Sequence, residues 1–349
     1  MTNPYAEAGP EAFWRTAVAE TGPFALSGLW TPKFQIRQDD RIATFGSCFA
    51  QHFSRALAAR DYRWIDCEPA PPFLPEETCS ELNYGVFSAR TCNIYTVNML
   101  GQWLDMACGV TEPPDEVWVD ANGRFRDPLR PLIEPDGFDD RKALFAARAA
   151  TLAAIRDAIE QADVFVFTLG LTESWANRRT GLEYAICPGT VAGTFDPDTH
   201  VFRNPTTGML AKRLRRVLRL LRQQNPDIQV LLTVSPVPLT ATAAQGHVLT
   251  QTTYSKSALR AVAGEAANEM EFVDYFPSYE IITHPVFRGM FFAPNMRSVV
   301  PQGIDTVMSH FFADQARVFG ATNRSTQQAA KDTSTTELHC EEEMLNAFA

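Results

Sequence analysis

Along this chain, apolar and polar positions fall into blocks whose period switches several times between that of a strand and that of a helix. Residues 42–45 are a short β-compatible run, after which Phe49, Phe53 and Leu57 recur at helical spacing. The pattern therefore predicts a strand that turns into a helix at Gly46-Ser47. A long amphipathic stretch over 141–161 leads into the continuous apolar run 163–169, which suits a strand buried on both faces. The unit then recurs. A helix over 208–224, stopped near Asn225-Pro226, leads into the run 228–234, and a helix over 254–268 leads into 271–274. A further helix is predicted over 303–312. Alternating helices and apolar strands predict an α/β fold with a mostly parallel sheet covered on both faces. Such sheets place ligands at the carboxyl ends of their strands. Ser47 and the loops 170–173, 235–253 and 275–292 should then share one edge.

Two segments break the rhythm. Residues 109–140 are rich in proline and acidic residues, and 176–207 in glycine, proline and threonine; both read as long insertions, of the kind that serve as lids or binding loops or do nothing. Beyond about residue 315 the chain turns polar. The expected organisation is an N-terminal extension over 1–34, one domain over 35–315, and a disordered tail over 316–349, with a short docking helix over 341–349 as the lesser alternative.

Composition narrows the function classes. With 349 residues, 45% of them hydrophobic, the chain can bury a sizeable core without staples. No run approaches the ~18 apolar residues of a membrane span, and the first residues lack the basic and apolar regions of a secretory signal, so no integral membrane segment and a cytoplasmic location are expected. The seven cysteines are scattered without a C-x-x-C pair, which predicts reduced thiols rather than disulfides or a zinc site. A net charge of −10 argues against a nucleic-acid partner. The helix over 208–224 is locally basic through Lys212, Arg213, Arg215, Arg216, Arg219 and Arg222. It reads first as a covering helix with a basic solvent face, and second as a contact for an anionic surface. Phosphate-binding and dinucleotide motifs and H-E-x-x-H are absent, so neither a cofactor nor a metal is expected.

The chemistry centres on Ser47. A serine at a strand-to-helix turn has two readings: an N-cap that accepts from the first helical turn, or an exposed nucleophile beside the unpaired N–H groups of that turn. Cys48 competes with it, since a thiol at a helix N-terminus is activated, although Cys48 is expected to point into the sheet and helix packing.

Gly46-Ser47-Cys48-Phe49-Ala50 resembles the signature of the GSCFA family, bacterial proteins related in fold to the SGNH (GDSL-like) hydrolases and acyltransferases. The likeness runs on through Asn93-Ile94-Tyr95-Thr96, the segment 168–175, Ser235-Pro236-Val237, Tyr254-Ser255-Lys256 and the segment 275–280. It implies an SGNH-like three-layer α/β fold and a serine site at Ser47. It does not bring the usual base. The D-x-x-H tetrapeptide of SGNH relatives is absent, and where it is expected the segment 292–298 holds no histidine. Of the six histidines, His52 lies on the helix after Ser47, His200 in an insertion and His339 in the tail, which leaves three. His247, between the segments 235–237 and 254–256, is the first choice of base; His284 and His310 are the alternatives. Oxyanion donors are sought in the backbone N–H of Ser47 or Cys48, in Asn93, and in Thr172. Glu173 stands in place of the third SGNH donor and would orient the histidine or bind a substrate hydroxyl. Trp175 and Tyr184 could stack on a sugar ring. The expected function is a serine esterase or O-acyltransferase acting on an acylated carbohydrate or small metabolite. The alternative is a non-catalytic carbohydrate- or partner-binding protein with a degenerate site.

Overall fold

A computed structural model describes residues 3–320 and 340–349. The strands in chain order are β1 (Ile42–Gly46), β2 (Trp118–Val119), β3 (Phe125–Arg126), β4 (Val164–Leu169), β5 (Ser174–Asn177), β6 (Glu183–Tyr184), β7 (His200–Arg203), β8 (Gln229–Val234) and β9 (Val273–Tyr275). The helices are α1 (Cys48–Ala58), α2 (Glu76–Glu81), α3 (Val97–Ala107), α4 (Arg141–Gln161), α5 (Thr207–Gln224), α6 (Val248–Glu269), α7 (Ser278–Thr283) and α8 (Pro301–Phe319).

Four strands form the central sheet in the order β1-β4-β8-β9, and every neighbouring pair is parallel. Alternate residues face two cores. Ala43, Phe45, Phe165, Phe167, Val230 and Leu232 pack in a cluster with α3, α4, α5 and α6, while Ile42, Val164, Val166 and Leu231 pack in another with α1 and α8. Period-2 side chains on fully buried strands thus generate three layers, as the apolar runs required. The register sets Gly46 opposite Thr168 and Leu169 opposite Val234, so the carboxyl ends of β1, β4 and β8 lie at one edge.

The insertions are built structure. Residues 109–140 hold the antiparallel pair β2–β3, and the second insertion carries most of a three-stranded antiparallel sheet, β6-β5-β7. Helix α5 covers the sheet: Arg213 and Arg216 pair with Asp105 of α3, and Arg215 with Glu265 and Glu269 of α6. Its basic face is thereby largely satisfied within the fold, the first of its two sequence readings. In the N-terminal extension, Trp30 is buried in the layer of α1 and α8, and its N–H donates to Asp314.

Two boundaries differ from the sequence reading. Helix α6 begins at Val248 rather than near 254, because His247 caps it; its Nδ1 accepts from the Leu249 N–H at 3.1 Å. Helix α8 runs on to Phe319. Of the expected tail, residues 321–339 and with them His339 lie outside the described residues. Residues 340–349 are placed against the domain, with Glu341–Phe348 in a 3-10 helix.

Candidate functional site

The turn after β1 depends on two glycines. Gly46 has φ +141, and a Cβ there would come within 2.5 Å of the Thr168 carbonyl oxygen, so only glycine lets β1 end this close to β4. A Cβ on Gly170, beyond β4, would come within 2.9 Å of the Ser47 Cβ and 3.0 Å of the Tyr95 carbonyl oxygen. The backbone locks this junction. The Ser47 N–H donates to Thr168 (3.1 Å), the Ile94 N–H to Gly46 (2.8 Å), and the Gly170 and Leu171 N–H groups both to the Tyr95 carbonyl.

Ser47 takes the N-cap position of α1 but makes no side-chain cap bond. Its hydroxyl, in a residue only 2% exposed, has no hydrogen-bond partner among the described residues. The capping reading therefore lacks the bond that defines it. Because the Ser47 N–H is committed to Thr168, the Cys48 N–H is left as the backbone donor at the helix start.

Asn93 is brought in by its neighbour's bond to Gly46. Its Oδ1 accepts from Gln51 Nε2 at 3.2 Å, which turns the amide Nδ2 toward the Glu341 carboxylate. The Asn93 N–H (3.2 Å) and the Tyr95 hydroxyl (2.8 Å) donate to the same carboxylate. Thr172 is buried with an unpartnered hydroxyl, its N–H donating to Ser255. Thus Asn93 is held next to the Gly46-Ser47 turn by the Ile94 bond and by Gln51 of α1, and the occupant of its donors comes from the far end of the chain.

Three groups here escaped the sequence reading. Lys256, 1% exposed on α6, donates through Nζ to the Gly170 carbonyl at 2.6 Å. Burial lowers its pKa to about 8, with Glu342 and Cys48 opposing. Arg297, from the segment where D-x-x-H was sought, donates to Glu342 (3.3 Å), Glu343 (3.0 Å) and Cys340 Sγ (3.6 Å). Burial raises the Glu342 carboxyl to about 7 against the pull of Arg297 and Lys256. One signal was legible for Lys256: it sits three and seven residues before Leu259 and Ala263, on the apolar stripe of its helix.

Several expected partners are placed elsewhere. His247 is an exposed helix cap, and among the described residues no histidine supplies a partner to the Ser47 hydroxyl. His284 caps the 3-10 turn Pro285–Phe287 through Nδ1, and its ring packs 5.6 Å from Trp14. His310 is half-buried on α8, where burial lowers its pKa. Glu173 orients no histidine; both its oxygens accept from the Thr242 hydroxyl at 2.9 Å, and burial raises its carboxyl. Cys48 points into the site rather than into the packing. Its thiol hydrogen-bonds Cys340, which with burial raises its pKa well above the ordinary value. A raised pKa disfavours the thiolate that a cysteine nucleophile needs.

Beside this cluster lies a cavity of about 660 Å³, lined by Tyr95, Leu171, Trp175, Phe202, Leu239 and Phe348 among others. Trp175 and Tyr184 both border it; the Tyr184 hydroxyl is engaged with Glu116 at 2.7 Å. Among the described residues, no group of three His, Cys, Asp or Glu side chains is arranged to hold a metal ion, and no helix is long and apolar enough to cross a membrane.

A parallel sheet sandwiched by helices, with a buried serine at its carboxyl edge on a glycine-dependent strand-to-helix turn, defines an α/β protein whose candidate site is that turn. The chain belongs to the GSCFA family, whose family model matches residues 41–311. No curated protein matches it.

Proposed function

We propose that this is an SGNH-like serine esterase or O-acyltransferase acting on an acylated carbohydrate or small metabolite through an acyl-enzyme on Ser47. The observation that carries it is the buried, unpartnered Ser47 hydroxyl at the start of α1. Such a hydroxyl has lost water without gaining a bond, a costly arrangement unless a substrate completes it. In place of the expected histidine, Lys256 is the base, following the Ser-Lys variant of the triad logic. Its neutral amine takes the Ser47 proton as the oxygen attacks the ester carbonyl. The Cys48 N–H, the Asn93 Nδ2 and the Tyr95 hydroxyl receive the developing oxyanion. Lysinium then protonates the leaving alkoxide, and water or a second hydroxyl, deprotonated by the same amine, releases the acyl group. The apolar cavity suits the acyl chain.

Ser47→Ala should abolish p-nitrophenol release from p-nitrophenyl acetate, and a fluorophosphonate should add to Ser47 alone. Equal rates in the two chains would end this reading. A second reading, a binding protein with a silenced site, is favoured by the lack of a histidine partner for Ser47 among the described residues. It predicts no turnover, and tight binding of an acylated sugar that Ser47→Ala leaves intact.

A further inference from the structure

Residues 340–349 touch the domain mainly through the Ser47 site. Glu341 is 3% exposed, whereas Met344 and Phe348 on the same turn of chain are 43% and 71% exposed. Its carboxylate takes the Asn93 N–H, the Asn93 amide and the Tyr95 hydroxyl together. Cys340 lies against Cys48 and the Tyr95 hydroxyl; Glu342 and Glu343 lie on Arg297; Glu342, Leu345 and Phe348 line the cavity. A carboxylate is taken from water only where several donors replace its hydration, so this donor set is a built receptor for an anionic oxygen. An ester's tetrahedral intermediate presents the same charge in the same place.

We propose that the segment 340–349 is an internal ligand of the Ser47 site, with the Glu341 carboxylate seated on the donors that serve the oxyanion, so that substrate enters only when the segment leaves. The occupation of those donors is a matter of geometry; its effect on turnover rests on the esterase reading. The segment covers the site with few buried residues, so it is exchangeable. Its ligand chemistry is that of an acidic peptide with apolar residues following the carboxylates.

Two measurements on the full-length chain test this, the first blind to catalysis. Diamide removes one hydrogen from each of two thiols and is itself reduced to the hydrazine; in the docked chain it should join Cys48 to Cys340, read as a two-hydrogen mass loss in one linked peptide pair. In parallel, Glu341→Ala should raise the rate of Cys48 alkylation by iodoacetamide at least tenfold, while Met344→Ala, on the outward face, leaves it unchanged. No cross-link, together with equal Cys48 alkylation in the native and Glu341→Ala chains, overturns the docking. The second measurement is ester turnover, which should rise several-fold in Glu341→Ala, fall at least tenfold on cross-linking, and return with dithiothreitol. A cross-linked chain that hydrolyses as fast as the reduced one overturns the closure. If no form hydrolyses ester, the esterase reading fails while the thiol measurements still decide whether the segment occupies the site.

Discussion

Lys256 is a cation on a face that its helix otherwise gives to apolar residues, and the burial that makes it costly also makes it useful. A lysine in water is almost fully protonated at neutral pH; with its pKa lowered to about 8, a usable fraction carries a free pair. In the docked chain Glu342 and Cys48 hold that value up and Arg297 presses it down. On the Ser-Lys reading, ester hydrolysis should rise with pH as the Lys256 amine loses its proton and level off above that. Lys256→Met should lower kcat by about 10²- to 10⁴-fold and remove that limb. Lys256→Arg should be as inactive, because arginine keeps its proton. A pH-rate profile alongside a melting curve checks both; a Lys256→Arg chain with native kcat would remove the lysine from the chemistry. Ser47 and Asn93 stood out in the sequence because turn chemistry and motif are local. His247, chosen as base, is instead an exposed helix cap, because a histidine between two motifs carries no record of its hydrogen bonds. His247 was spent on capping α6, and a buried lysine is visible only once α6 is laid against β4.

At the scale of elements, the apolar runs were legible because a strand buried on both faces has nowhere to put a polar residue. Helices α4 and α5 were likewise readable within a residue or two. The insertion over 109–140 was not, since proline-rich acidic chain looks like loop whatever holds it. What holds it is Asp127, buried with Arg130 (3.2 Å) and Arg148 of α4 (2.7 Å), while Arg130 also donates to the Arg90 carbonyl and to Thr151. Burial opposes the Asp127 charge, but the two guanidiniums outweigh it and lower its pKa. The sign follows: a carboxyl lowered in the folded state stabilises above its unfolded pKa of ~3.9 and loses that contribution as pH falls through the folded value. Asp127→Asn leaves two buried guanidiniums without their anion and should cost about 3–5 kcal/mol. Urea unfolding at pH 7 measures it. A loss near zero would mean that the insertion is held by its apolar contacts instead.

Across the whole molecule, the segment 340–349 ties the far end of the sequence to Cys48 at the start of α1 and to Asn93 and Tyr95. Polar composition hid this, because one glutamate on a donor set contributes nothing to hydropathy. Docking carries a pH dependence through Glu342, whose carboxyl is raised from 4.5 to about 7 in the docked state. A group raised on burial favours the buried state at low pH. Glu342 therefore weakens docking between about 4.5 and 7, while the Cys340 thiol, lowered to about 6 chiefly by its bond to Cys48, strengthens it between about 6 and 9, so the fall is steepest from about 4.5 to 6. Hydrogen exchange of 340–349, normalised to a free peptide of the same residues, should show protection falling over that window. Glu342→Gln should flatten it. A native chain with pH-independent protection would contradict the assignment.

The contact between Gly170 and Ser47 has a kinetic consequence. Gly170 closes against the Ser47 side chain and the Ser47 N–H is tied to Thr168, while the segment 340–349 holds the Asn93 and Tyr95 donors. On the closure proposed above, turnover cannot outrun the departure of that segment. If departure of the segment is slower than acylation, kcat becomes the same for esters of good and poor leaving groups, and the leaving group is felt only in kcat/KM.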